Sequence, residues 1–384
     1  MSTERASVLP GQFSLARGSS RAALRNGVRS PAQLAQALAL VAATLVTSSL
    51  FSACDDRAHE ADDSESITAA EPTREGPITP LPREGPTLDP ARVALGRALW
   101  FEPLMSHDGR VVCNDCHQLA RAGTDGRVRS ALEGRPPGSI NVPSVYNLAY
   151  VFRFSWSGRF EQIDQIMTVA ITSPAAMATT WAEIESRLRA ATGRRADFER
   201  VYSDGVTQEN VRDALAQFIL SLRTPDAPFD RWLRGDEAAI PSEAVEGYAL
   251  FREYGCASCH QGAAIGGNLF QRFGVMRDYF ADRGHVVPAD DGLYLGTHRE
   301  SDRHVFRVPS LRNVALTAPY FHDGSARTLE EAIGTMARYQ LGRPLPPEAV
   351  VKIVAFLKTL TGRLDAGLRA PTGDVAGPRQ TAGP

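Results

Sequence analysis

The stretch CNDCHQLARAGTDGRVRSALEGR, residues 113–135, decides how this chain is read. It opens with Cys113-x-x-Cys116-His117, and the same pattern returns at Cys256-x-x-Cys259-His260. Two thiols followed at once by an imidazole offer two thioether attachment points and one iron ligand, the pattern of c-type haem attachment. A zinc site or a redox dithiol also uses paired cysteines, but neither calls for a histidine directly after the second cysteine, twice over. The fifth cysteine, Cys54, has no partner left for a disulfide.

Outward from these motifs, 384 residues allow two ordinary domains and a leader. A net charge of -2 gives no electrostatic footprint for nucleic acid, which is excluded as a partner. Arg17, Arg21, Arg25 and Arg29 precede the uncharged run AQLAQALALVAATLVTSSLFSA, the charged and apolar regions of an export leader over residues 1–54. Export agrees with bacterial haem c attachment, which takes place outside the cytoplasmic membrane, and implies a periplasmic location. LFSAC, ending at Cys54, resembles a lipoprotein processing site with Phe51 in place of the usual leucine, so a lipid anchor at Cys54 is expected. An uncleaved anchor helix, or a thiol lost with the leader, stays open. Residues 55–85, acidic and then Pro/Gly-rich (EPTREGPITPLPREGP), read as a disordered tether.

Beyond the tether the signals are helical, with few or no strands: a mainly α fold of two cytochrome c-like haem domains with long loops, at 86–235 and 236–364, followed by a flexible tail, 365–384. Asp89 caps a helix with Pro90 at its first position, running through ARVALGRALWF until Pro103. Thr180-x-x-Glu183 and Thr328-x-x-Glu331 are capping boxes. Val211, Leu215, Phe218, Ile219 and Leu222 recur at helical spacing. The last helix spans Pro347 to Leu360, closed by Gly362, and TPDAPFDRWLRGD reads as the domain junction.

The second axial ligand decides what a haem c does, since Met opposite His raises the reduction potential whereas an open position admits a small molecule. Downstream of His260 the candidates are Met276 and Met336. Here the chain becomes familiar. The segment VPSLRNVALTAPYFHDGSARTLEEAIGTMARYQLG, with GCASCHQG and GGNLFQRFG before it, closely resembles the bacterial di-haem cytochrome c peroxidase and MauG superfamily, from about Leu95 to Gly362. The resemblance implies a peroxide-binding N-terminal haem, an electron-relaying C-terminal haem and a calcium ion between them. Met336 matches the peroxidase ligand of the second haem, where the MauG type has Tyr. Trp156, in FSWSGR, matches the tryptophan between the haems; Asn141, Thr317 and Pro319 match the calcium positions, whose oxygens suit a hard cation. His322 matches a histidine with a structural role near the second haem, while His107, His285, His298 and His304 read as surface residues.

Two departures stand out. Many relatives place a histidine ligand where this chain has Glu133, 16 residues beyond His117. The first haem is therefore expected to be five-coordinate at rest, although His107 could reach across. The family's NPxEM glutamate falls on Ala176, within Ser173-Pro174-Ala175-Ala176-Met177, and its distal glutamine on Ile166, with Gln165 one residue early. Glu133 or Gln165 would then supply the distal polar group, and Glu133 is expected to compensate. The function implied is reduction of hydrogen peroxide to water with electrons from a small c-type cytochrome or blue-copper protein. A MauG-like oxidase acting on tryptophan or another residue of a partner protein, and a non-enzymatic electron-transfer cytochrome, are the alternatives, and homodimerisation is left open.

Overall fold

The structure, a computed structural model, describes residues 74–364. The leader, Cys54 and the 365–384 tail lie outside the described residues. Among these residues the architecture is helical, with one two-stranded antiparallel ribbon pairing Phe270–Arg272 with Val305–Arg307 in the register Phe270 to Arg307.

Local chemistry sets the helix ends much as expected. The Asp89 carboxylate accepts from the Ala91 and Arg92 N–H groups, and Pro90 opens a helix that stops at Trp100; Pro103 begins a short 3-10 turn of its own. Thr180 Oγ1 accepts from Glu183 N–H while the Glu183 carboxylate accepts from Thr180 N–H, a complete capping box. At Thr328 only half the box forms, because Glu331 turns back to Arg327 N–H instead. The last helix runs Pro347–Lys358.

Both halves use one device. The helix Pro90–Trp100 crosses Gln208–Ser221 so closely that a Cβ on Gly96 would lie 1.9 Å from the Ala214 carbonyl oxygen. In the second half, Ser242–Glu253 crosses Pro347–Lys358, with the hypothetical Cβ of Gly247 1.9 Å from Lys352 O. Only glycine permits either approach. In sequence, each crossed pair brackets one C-x-x-C-H motif. Leu99, Ile184, Leu188, Phe198, Val211 and Leu215 form the first core. Phe229, Trp232, Tyr248, Phe251, Ile353 and Phe356 belong to the second, with Phe229 edge-on to Phe356 at 4.9 Å.

Two expectations change. The proline-punctuated segment 224–236 contains a helix, Pro228–Leu233, whose Phe229 and Trp232 share a face and bury in the second core. The disordered tether does not extend through residues 74–85. Ile78 and Leu81 are buried, Pro77 O accepts from Gly262 N–H at 2.7 Å, and Leu81 N–H donates to Asp230 Oδ1 at 3.0 Å. Two apolar side chains in a segment that prolines hold extended give it something to bury at little entropic cost. Where the halves meet, Thr224 Oγ1 accepts from both Asn147 Nδ2 and Asn313 Nδ2, at 3.0 and 3.1 Å, and all three residues are buried.

Candidate functional site

Each C-x-x-C-H motif is one tight helical turn, Cys113–Cys116 in the α form and Cys256–Ser258 in the 3-10 form. In both, the histidine N–H donates to the carbonyl of the first cysteine at 3.0 Å, which folds the imidazole back over the turn. The first turn is capped by Asp115, whose carboxylate accepts from Val112 N–H.

The imidazoles are then fixed from behind. His117 Nδ1 lies 3.2 Å from Gly123 O and 3.1 Å from Pro143 O, and His260 Nδ1 lies 3.3 Å from Ile265 O. An Nδ1–H given to carbonyl oxygens leaves Nε2 with its lone pair for a metal. Burial lowers both histidines, His260 to about 4, so the neutral ligand form prevails at neutral pH. Desolvation pushes the Cys113 thiol up to about 12 and Cys256 up to about 11. A redox dithiol needs the opposite shift, toward an accessible thiolate, so that alternative fits poorly; a thioether has no proton to lose.

The carbonyl-bearing segments are a repeat that the motif reading missed: PSVYNLA, residues 143–149, and PSLRNVA, residues 309–315. Ser144 Oγ donates to Ala122 O and Ser310 Oγ to Ala264 O, both at 2.7 Å, tying each copy to the loop beyond its own histidine. Asn147 and Asn313 occupy the same place in the two copies, both with left-handed backbone, and meet at Thr224. A search for internal similarity would have found the pair.

Cys256, Cys259 and His260 open onto a largely apolar cavity of about 460 Å³. Met336, from the helix Leu329–Gln340, lines it as well, whereas Met276 is 62% exposed and does not. Trp156, Asn141, Thr317, Pro319 and His322 share the wall. Trp156 Nε1–H donates to Asn141 O at 2.9 Å; Asn141 N–H donates to His322 O, and its side-chain amide donates to Arg127 O. Among the described residues no three or more His, Cys, Asp or Glu converge on a metal site, so a cation here would depend on amide, hydroxyl and main-chain oxygens. Two buried guanidinium groups line the cavity; Arg312 pairs with Asp230, whereas Arg307 Nη1 has no hydrogen-bond partner. An apolar cavity with two thiols, an imidazole, a thioether and an unmatched cation fits a haem that carries carboxylates.

His322 does more than fill space. It is buried, and its Nε2 lies 2.7 Å from Asp290 Oδ1; Arg283 pairs with the same carboxylate and with Asp323. Burial alone would raise the Asp290 carboxyl, but hydrogen bonds from His322, Arg283 and Val287 N–H outweigh it and hold the group well below the usual carboxylate range. Of the supposed surface histidines, His107, His285 and His298 are exposed, but His304 is half-buried, stacked on Phe280 at 4.0 Å with Nδ1 2.8 Å from Asp290 O.

The two distal candidates are both exposed, although Ser130, in the segment that carries Glu133, places its Oγ 3.4 Å from Cys116 Sγ. Gln165 is exposed and spends its Oε1 on the N–H groups of Glu161 and Gln162, capping the helix Ile163–Thr172. Glu133 is exposed in the turn after Ser130, while its neighbour Leu132 packs against the first core beside Cys113. A carboxylate with water on one side of the turn and an apolar core on the other turns to the water.

A family profile described as di-haem cytochrome c peroxidase matches residues 90–238. The chain is 42% identical to the cytochrome c peroxidase Ccp of Escherichia coli over 75% of its own length and 62% of that protein, so it spans under two thirds of that relative. It is also 42% identical to the cytochrome c551 peroxidase of Nitrosomonas europaea, over 70% of this chain and 79% of that one. Among solved structures, a MauG-like protein associated with microbial copper homeostasis superposes with a TM-score of 0.64 at 25% identity, covering 77% of this chain and 95% of the other.

Proposed function

This chain belongs to the di-haem cytochrome c peroxidase family, and from that premise we propose that it reduces hydrogen peroxide to water, drawing two electrons, one at a time, from a small c-type cytochrome or cupredoxin. The observation that carries the reading is the asymmetry of the two motifs. Met336 lines the same cavity as Cys256, Cys259 and His260, while Glu133, which stands where many relatives carry a histidine ligand, and His107, the residue that could reach across, are both exposed. Each haem, once attached, supplies an iron that changes by single electrons and, where a coordination position is open, a place for peroxide.

The protein's own groups do the rest. Cys113, Cys116 and His117 hold one haem; Cys256, Cys259, His260 and Met336 hold the other. Carbonyl oxygens at Gly123, Pro143 and Ile265 keep each Nδ1 protonated and each Nε2 free. Trp156, fixed through Nε1 to Asn141 O, is the aromatic carrier assigned between the halves. Asn141, Thr317 and Pro319 are assigned to a calcium ion, supported by their shared place on one cavity wall. The division into two haem domains, export to the periplasm and lipidation of Cys54 belong to the same reading, supported by the crossed-helix duplication and by the leader sequence. Among the described residues no helix is long and apolar enough to cross a membrane.

The deciding experiment is steady-state peroxide consumption by the holoprotein with a reduced c-type cytochrome, alongside the resting absorption spectrum. Sustained turnover with a high-spin ferric component is expected. Negligible turnover with oxidation of a partner protein's tryptophan would indicate MauG-like chemistry instead, and two low-spin irons with no turnover would indicate electron transfer alone.

A further inference from the structure

Arg307 is the one charged group of the cavity that the assignments above leave without work. It ends the strand Val305–Arg307, is only 7% exposed, and its backbone N–H is held by Trp156 O at 3.2 Å. Its Nε–H donates to Ser155 O at 3.2 Å, but Nη1 meets no acceptor. The cavity's other arginine, Arg312, is matched by Asp230 at 2.8 Å, and its other histidine, His322, by Asp290. Among the described residues no Asp or Glu lines the wall. A guanidinium cannot escape by losing its proton under physiological conditions, so a buried and unmatched one requires an anion from elsewhere. The side chain is also held from behind: a Cβ on Gly158 would fall 3.0 Å from Arg307 Cβ.

We propose that Arg307 binds a propionate carboxylate of the haem attached at Cys256 and Cys259, next to Trp156, and that its charge sets the reduction potential of that haem. The proposal rests on haem attachment at this motif and makes Arg307 a positioning residue. A fixed cation beside a propionate cancels its negative charge and so removes a field that would favour the oxidised iron. Desolvation, which lowers the Arg307 pKa to about 10, leaves the group charged at neutral pH.

The test uses holoprotein carrying R307Q or R307H, with haem content assayed first and the potential of the Met-ligated haem then titrated spectroelectrochemically across pH. R307Q is expected to keep both haems while shifting the reduction equilibrium about tenfold toward oxidised iron, which for a one-electron couple is about 59 mV. In R307H the potential should fall as pH rises through about 6.5, where the imidazole loses its charge. A potential and pH profile unchanged in both variants would overturn the proposal and leave water or an adventitious anion as the partner of Nη1. If R307Q matures with one haem only, R307H decides: a potential independent of pH sinks the idea, and a fall near the imidazole pKa supports it. Peroxide turnover by the parent protein is scored separately, so a failed peroxidase assay with a shifted R307Q potential would reject the function and keep the propionate contact.

Discussion

Met336 and Met276 offer iron the same thioether, and only their placement separates them. Met336 faces the cavity that His260 faces, whereas Met276 stands in solvent. Met336→Leu should keep both haems, lose the sulfur-to-iron charge-transfer band and cut cytochrome-dependent peroxide turnover by about tenfold or more, since the relay loses the ligand that raises its potential. Met276→Leu should match the parent in both measurements. Glu133 is argued in the same way but with the opposite result. A positioned acid or base contributes on the order of 10² to 10⁴ in rate, so a carboxylate that turns to water should be dispensable, and Glu133→Gln should retain turnover within about threefold. A loss of a hundredfold or more in a stopped-flow peroxide assay would restore Glu133 to the distal site. At this scale the residues assigned to the haems were legible because cysteines and histidine are adjacent in sequence. Gln165 shows the limit of such a reading, because a glutamine three residues into a helix serves the cap first, and that competition is settled by the helix start rather than by the residue.

Elements carry information that single residues do not. Asp89-Pro90 and Thr180-x-x-Glu183 were readable because a cap is a local contract between neighbours in sequence. The PSVYNLA and PSLRNVA segments were equally visible as letters, but their purpose, holding His117 through Pro143 O and joining the halves through Asn147 and Asn313, depends on contacts distant in sequence. The loop carrying Asp290 was not readable at all. Its carboxylate is completely buried and gathers His322, Arg283 and Val287 N–H, while the carbonyl of the same residue meets His304. A carboxyl whose folded pKa is depressed contributes stability above its unfolded value and loses that contribution as pH falls below it. Asp290→Asn leaves a buried guanidinium partly unmatched and should cost about 3 kcal/mol at pH 7 in urea unfolding of the holoprotein. The difference from the parent should shrink as pH drops below about 4, where the unfolded carboxyl takes up its proton. An Asp290→Asn penalty that stays constant from pH 7 to pH 3 would show that the loss is one of packing, not of charge.

Across the whole molecule, duplication explains how much could be read without coordinates. Two motifs and two crossed helix pairs follow one plan, so the mainly helical class and the two candidate haem sites were legible from spacing. The strap at residues 74–85 was not, because its composition matches a tether and only Ile78 and Leu81, two apolar residues among prolines, mark it for burial. What no pattern within one half could show is how the halves are coupled. Asn141 follows the first motif in sequence, while Thr317 and Pro319 follow the second, and all three line the cavity that Trp156 also lines. The Asn141 amide nitrogen is committed to Arg127 O, so the part of the side chain suited to a hard cation is its Oδ1. Because the main-chain oxygen of the same residue fixes Trp156 Nε1–H, a cation bound there would set the tryptophan at the same time. Stripping the holoprotein with a calcium chelator should therefore lower cytochrome-dependent peroxide turnover by about tenfold and change Trp fluorescence, with both effects reversed by Ca²⁺ but not by Mg²⁺, which demands a smaller and more regular oxygen shell. Turnover and fluorescence indifferent to the chelator, in protein shown by elemental analysis to be free of calcium, would remove the ion from the coupling and leave Asn141 and Trp156 joined by their hydrogen bond alone.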